Sequence, residues 1–274
     1  MIPAPFDYVR ADSYDAAAAA LGEHGDEAKL LAGGQSLLPL MKLRLATPAI
    51  VVDVSRASDL SYVRDDGGVL AIGALTRHCD LARSADVTAH APLLAHAAGS
   101  VGDPQVRHRG TIGGSVAHAD PSADIPTALL ALGASYVVRG PGGSREVAAA
   151  DFSTGFLETV LAPDEMLVEI RLPSARGETW GYEKFTRRAI DWATVAVAVQ
   201  NRGAETSVAL ANMGSTVLRA TATEAALASG AGAADAAAHA DEGAEPAGDV
   251  TASADFRRHL ARVLTKRALA AAGR

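Results

Sequence analysis

The sequence predicts an α+β protein in which a two-lobed domain is followed by a smaller α+β domain, and three observations carry that prediction. The chain is 274 residues long, beyond the usual size of one packed unit. Its texture changes twice, from helix alternating with strand to paired short strands near Leu60, and again at a polar stretch from Ser174 to Thr179. Two of its Gly-Gly pairs, in "AGGQSLLP" from Ala32 and "TIGGSVAHADPSADIP" from Thr111, fall one in each of the first two regions, each read as a loop where an apolar strand gives out.

Taken in order, Ser13 is placed to cap a helix whose Ala-rich body ends between Gly22 and Gly25. "KLLAGG" then reads as a short buried strand breaking into the first glycine pair, and "QSLLPLMKLRL" as a helix with Pro39 in its first turns. The β-branched run "PAIVVDVS" predicts a strand covered on both faces and closes the first lobe near Ser55. "SYVRDDGGVLAIGA" is a hairpin around Asp-Gly-Gly. Helices are expected from Thr76 to Arg83 and from Pro92 to Ala98, before the second glycine pair. "IPTALLAL" follows as a helix, "SYVVRGPGGSREV" as a second hairpin, and "EMLVEIRLP" as a strand that Pro173 stops.

Beyond the loose segment at Ser174 to Thr179, "ATVAVAVQN" and "SVALANMGS" predict strands. "TATEAALAS" predicts a helix, and "FRRHLARVLTKRALAA" an amphipathic closing helix whose basic face (Arg257, Arg258, Arg262, Lys266, Arg267) is expected to be solvated or to dock a partner. The stretch from Ala231 to Asp249 has almost nothing large to bury and is expected to be a mobile surface excursion.

Composition narrows the function. Apolar residues make up 49% of the chain but aromatics only 4%, so a large planar ligand must be gripped by backbone and small aliphatic groups. The excess of 32 acidic over 25 basic residues gives a formal charge of −7, which argues against a surface that neutralises nucleic-acid phosphates. Cys79 is the one cysteine, so the chain by itself forms no internal disulfide and holds no iron–sulfur cluster or Cys-rich zinc site. The N-terminal residues have no secretory pattern and Ala17 to Leu21 is too short to span a bilayer, so a soluble, cytoplasmic protein is expected.

A pyrophosphate lying against main chain needs amide hydrogens aimed at it and no β-carbons in the way, and adjacent glycines supply both. Gly33 and Gly34 meet that demand, with Gln35 and Ser36 adding side-chain donors at the start of a helix. A lone Gly-Gly is also the ordinary way to turn a chain. Neither pair has the G-x-G-x-x-G spacing of a Rossmann turn, and no P-loop lysine is present, so those two nucleotide sites are disfavoured.

Together "AGGQSLLPLMKLR" and "RGTIGGSVAHADPSADIP" resemble the flavin-binding subunits of molybdenum hydroxylases, most closely the medium subunit of the aerobic carbon monoxide dehydrogenase type, and also the flavin domain of xanthine dehydrogenases. "YEKFTRRAIDWATVAVAV" and "SADFRRHLARVLTKRAL" extend the likeness to the C-terminal region. The resemblance implies a two-lobed PCMH-type FAD-binding domain, similar to the vanillyl-alcohol oxidase fold, over 1–175 (lobes 1–55 and 56–175), then a C-terminal domain over 176–274.

It also implies that Leu31, Ala32, Gly33, Gly34, Gln35, Ser36, Leu37 and Leu38 wrap the FAD pyrophosphate and that Thr111, Ile112, Gly113, Gly114 and Ser115 close on it. Asp124 would accept hydrogen bonds from the cofactor's sugar region, and Val101 and Leu167 would line adenine or flavin. Lys184 would lie by the flavin ring, stabilising its reduced, anionic form, and Trp192 would cover one face.

The implied role is an electron relay. Electrons from 2Fe–2S clusters on a small partner subunit would pass through FAD to NAD, a quinone or oxygen, while substrate is oxidised at a molybdenum cofactor on a large subunit. A dimer of heterotrimers is expected, with no catalytic acid, base or nucleophile and no metal on this chain. Two other readings stay open: a stand-alone FAD-dependent oxidase of the vanillyl-alcohol oxidase fold, which would need its own substrate pocket and base, and a non-enzymatic assembly protein that has lost the cofactor. His108, His118 and Asp120 are close enough in sequence to suggest a metal, but "AHADP" lies in a loop without a third spaced ligand and the resemblance implies a wall of the flavin site there; His118 could relay a proton to the flavin, and Cys79 is read as a small core residue.

Overall fold

The structure is a computed structural model, and residues 2–274 are described. The first lobe contains β1 (Asp7–Arg10), α1 (Tyr14–His24), β2 (Ala28–Leu31), α2 (Leu37–Lys42) and β3 (Ile50–Asp53). Ser13 caps α1 by accepting the Ala16 N–H, and the helix ends at Gly25, whose φ of 51° suits a residue without a β-carbon. The three strands form a parallel sheet in the order β1-β3-β2. Val51 and Val52, which point to opposite faces of the central strand, are both buried, as the β-branched run predicts.

The second lobe is built on β4 (Val63–Asp65), β5 (Val69–Gly73), β6 (Ser135–Gly140), β7 (Gly143–Ala148) and β10 (Met166–Pro173), an antiparallel sheet in the order β4-β5-β10-β6-β7. Between β5 and β6 run α3 (His78–Arg83), α4 (Ala85–His90), α5 (Pro92–Ser100), α6 (Pro104–Arg109), α7 (Ile112–His118) and α8 (Asp124–Ala131); α9 (Ala149–Phe152), β8 (Ser153–Gly155) and β9 (Glu158–Thr159) precede β10. One face of this sheet, through Val137, Met166 and Val168, shares a core with the first lobe. The opposite face, through Leu70, Ile72, Tyr136, Val138, Ile170 and Leu172, packs under the helices.

The C-terminal domain is an antiparallel sheet of β11 (Thr179–Phe185), β12 (Val195–Asn201), β13 (Thr206–Ala211) and β14 (Leu218–Arg219), with α10 (Thr221–Ala228), α11 (Ala233–Ala237) and α12 (Ala254–Ala271). Alternation sorts its two faces by size. Val195, Val197, Val199, Val208 and Leu210 face α12 and its neighbours, whereas Ala198 and Ala209 join the core of the second lobe against α8. The small face lets α8 lie close to the sheet, so α8 is covered on both sides and all eight of its residues are buried.

Four expectations are corrected. Gly113 and Gly114 sit in the first turn of α7 rather than in a loop after a strand. The segment 231–249 is not an excursion: it forms α11 and buries Ala236, Ala237, Ala240 and Ala244, because alanines fit where a helix must lie close to α12. Arg257 does not belong to a solvated face, being 2% exposed and donating to the Thr194 carbonyl and, at 2.7 Å, to Asp249. The segment after β10 is pinned, with the Ser174 and Ala175 N–H groups donating to Gly68 and His90 carbonyls at 2.9 and 2.7 Å. Helices α4 and α6 were not expected, the short segments "ADVTAH" and "PQVRHR" lacking a long apolar period.

Candidate functional site

Because β1 and β2 both run parallel to β3, the first lobe presents all its strand carboxyl ends on one side, where open α/β sheets commonly leave a crevice for ligands. The segment from Ala32 to Ser36 leaves β2 at that edge. Among the described residues, the N–H groups of Gly33, Gly34, Gln35 and Ser36 meet no acceptor. Gly34 has a φ of 74°, the left-handed region that only glycine adopts without strain. Ser36 precedes α2 without capping it, so its hydroxyl is free for another partner, and α2, at six residues, adds little dipole of its own. Leu31, Ala32 and Leu37 are half-buried; Gln35 and Leu38 are exposed.

The second segment is stitched to the strand end beside it. Ile112 and Gly113 donate to the carbonyls of Thr76 and Ala74 at 3.0 and 2.8 Å, and Gly114 and Ser115 donate to the hydroxyl and carbonyl of Thr111 at 3.1 and 3.0 Å. A β-carbon on Gly113 would lie 2.7 Å from the Ala74 carbonyl oxygen, so this glycine is required by packing. Gly114 is exposed and Ser115 half-buried, leaving a bare Cα and a hydroxyl at the surface. Beneath them His78 is 5% exposed with Nδ1 unpartnered, and burial, more than the nearby Arg107 charge, lowers its pKa to about 4.

The two segments converge. A β-carbon built on Gly33 would fall 2.2 Å from the Arg109 carbonyl oxygen and 2.8 Å from the Gly110 Cα. The backbone of the first loop therefore lies directly on the residues that lead into Thr111.

At the seam with the C-terminal domain, Asp124 opens α8 and is 7% exposed. Lys184 Nζ donates to one of its oxygens at 2.8 Å and to the Ser100 carbonyl at 3.3 Å, and the Tyr182 hydroxyl donates to the other oxygen. Burial raises the Asp124 carboxyl above the usual range, an effect that the Lys184 charge and the two donors offset only in part. Burial, followed by the Asp124 charge, drives the Tyr182 phenol well above its ordinary value. His96 packs against Trp180 and Tyr182, and its own burial lowers its pKa. Val101 follows α5 and is half-buried, with its carbonyl accepting from Arg107 at 2.8 Å. Trp192 is 73% exposed, on a loop whose Ile190 carbonyl approaches Gly102. Leu167, 5% exposed, packs in the second lobe's core on β10.

Sequence reasoning passed over Tyr182 and His78. The alternation in "TWGYEKF" is the pattern that would have set Trp180, Tyr182 and Lys184 on one face of a strand. No local pattern could have found His78, whose burial comes from the later segment at Gly110. Among the described residues, no group of three or more His, Cys, Asp or Glu is placed to hold a metal. Cys79 is buried, its thiol pKa raised first by that burial.

The glycine segments and the seam define a flavoprotein class. Residues 4–175 match the family described as the FAD binding domain in molybdopterin dehydrogenase, and residues 180–272 match the CO dehydrogenase flavoprotein C-terminal domain. The chain is 43% identical to the carbon monoxide dehydrogenase medium chain of Hydrogenophaga pseudoflava, over 99% of this chain and 98% of that one. It is 36% identical to the 6-hydroxypseudooxynicotine dehydrogenase complex subunit alpha of Paenarthrobacter nicotinovorans, over 99% and 96%. In three dimensions it is similar to a chain of the Hydrogenophaga pseudoflava carbon monoxide dehydrogenase that lacks the Mo-pyranopterin moiety, with a TM-score of 0.96, 44% identity, and 100% and 99% of the two chains covered.

The chain therefore belongs to the FAD-binding medium-subunit family of carbon monoxide dehydrogenase-type molybdenum hydroxylases and is the flavoprotein subunit of an oxidoreductase. Its residues fit FAD in that the N–H groups of Gly33, Gly34, Gln35 and Ser36 have no acceptor among the described residues and are available to an anion. No helix among the described residues is long and apolar enough to cross a membrane.

Proposed function

We propose that this chain holds FAD between its lobes and acts as the electron outlet of a complex that also contains a small 2Fe–2S subunit and a large molybdenum subunit. The observation that carries this reading is the unpaired set of N–H groups from Gly33 to Ser36, lying against the start of the second glycine segment. Residues 1–175 would form the cofactor domain, divided after residue 55, and residues 176–274 the cap on it. When bound, FAD supplies the change from one-electron to two-electron transfer that a relay between clusters and an acceptor needs.

The chain's own residues have distinct jobs in this reading. Gly33 to Ser36 donate main-chain hydrogen bonds to the pyrophosphate, while Leu31, Ala32, Leu37 and Leu38 exclude water around it. From the second segment the contribution is not amides, which are engaged, but the Ser115 hydroxyl and the uncovered Cα of Gly114, with Thr111, Ile112 and Gly113 holding the turn. Asp124 accepts from sugar hydroxyls with the lone pairs that Lys184 and Tyr182 leave free. Lys184 places a fixed positive charge at the flavin, Val101 and Leu167 bound the pocket, and Trp192, exposed on its loop, covers the ring. The electron acceptor is NAD, a quinone or oxygen. Substrate turns over on the large subunit.

Purification of the chain with its operon neighbours tests this reading by metal analysis and absorption spectroscopy. One FAD per chain, together with iron, sulfide and molybdenum on two co-purifying chains, is the expected result. A chain that purifies alone and oxidises an organic substrate would favour the oxidase; one that stays colourless with added FAD would favour the assembly protein.

A further inference from the structure

Asp124 is a carboxylate buried at the seam with two donors, and Tyr182, the donor on strand β11 two residues before Lys184, has no part in cofactor binding so far. The arrangement is built rather than incidental. Strand alternation sets both side chains on the face that meets α8, and the Tyr182 ring is held at its edge by His96, 5.4 Å between centroids, with His96 lying on Trp180 at 5.1 Å. The ammonium takes one carboxylate oxygen and the phenol the other, so the carboxylate cannot turn both oxygens toward Lys184.

We propose that Tyr182 is a positioning residue: by binding one oxygen of Asp124 it keeps that side chain an oriented anion, and so sets how much of the Lys184 charge is cancelled at the flavin. This rests on the placement of Lys184 beside the flavin given above. The titratable groups facing Asp124 are Lys184 and Tyr182 on β11 and His96 on α5. A nearly buried carboxylate that loses one of two donors takes up a proton more readily, since desolvation already favours its neutral form. The neutral acid no longer offsets the ammonium, and an ammonium without its counter-charge favours the negative charge that reduction brings.

The test is the flavin midpoint potential of the assembled complex, read with FAD content and thermal stability. Tyr182→Phe is expected to keep one FAD per chain and to raise the potential, opposite in sign to the fall expected for Lys184→Ala. Incorporating 3-fluorotyrosine at position 182, which keeps the shape and strengthens the donor, is expected to lower it. An unchanged potential in Tyr182→Phe, where Lys184→Ala does lower it, overturns the positioning role and leaves the flavin placement standing. An unchanged potential in both overturns the placement of Lys184 and this proposal with it. Should Tyr182→Phe lose FAD, the fluorinated protein decides, and a potential that does not move refutes the proposal.

Discussion

In the first lobe, Gly33-Gly34 leaves the end of a parallel strand with its amides free; in the second, Gly113-Gly114 opens a helix with its amides donated to Ala74 and Thr111. The dipeptide is the same and the reason for it is not. Gly33 and Gly113 are glycines because another backbone occupies the space of a β-carbon, whereas Gly34 is one because its φ is positive. A Gly-Gly pair thus mixes positions that seat the protein on itself with positions that keep a surface open, and only the neighbours reveal which is which.

Substitutions should separate these roles, the largest effects coming from the seats. Gly33→Val drives a β-carbon into the Arg109 carbonyl at 2.2 Å, where neither backbone yields cheaply. It is expected to destabilise the chain by about 4 kcal/mol, measured by urea denaturation; a stable Gly33→Val protein that had lost only FAD would erase the distinction between the two glycines.

His78, under the second segment, gives that seat a pH dependence. Its pKa is about 4 in the folded chain against 6.5 ordinarily, so the unfolded chain binds a proton that the folded one refuses. Stability is therefore lost as pH falls from about 6.5 to about 4, by about 3 kcal/mol in total. His78→Leu should flatten that part of the profile, and an unchanged slope would show that His78 is not the group responsible.

Gly34→Val should leave the fold in place and weaken FAD binding by about tenfold or more, since a branched side chain at a φ of 74° strains the loop that carries the open amides and presses on the Leu31 and Leu38 side chains. Flavin absorbance per chain reports it, and stoichiometric flavin would count against the first loop as the pyrophosphate cradle. The smallest effect is expected of Ser115→Ala, about fivefold in FAD affinity by titration calorimetry, the value of one hydrogen bond. A larger loss from Ser115→Ala than from Gly34→Val would reverse the assignment of the main contact to the first loop.

Elements with a strong period were legible in the sequence: α1 with its Ser13 cap, the valine-rich β3 and β12, the hairpins at Asp65 and Gly140, and the amphipathic α12. The short helices α4 and α6 were not, because six residues carry too little periodicity. The Ala-rich stretch at 231–249 read as something that buries nothing large, which is true of its side chains and misleading about its role. A surface close to a long helix rewards small residues, and Ala236, Ala237, Ala240 and Ala244 are buried there for that reason. Arg257 shows the same limit with a charged residue: its spacing put it among the other basic positions of α12, and only the fold brings Thr194 and Asp249 to enclose it.

By itself the sequence determined the strongly periodic helices and strands, the Gly33-Gly34 and Gly113-Gly114 motifs in separate regions, and the family that those motifs resemble, because local propensity and short motifs are properties of neighbouring residues. The tertiary structure decided which amides stay free, which glycines are seats, and that Tyr182, Lys184 and Asp124 meet. The Asp124 contacts join residues 58 and 60 positions apart in the chain, and the seats at Gly33 and Gly113 depend on the backbones of Arg109 and Ala74, distances that no local pattern encodes.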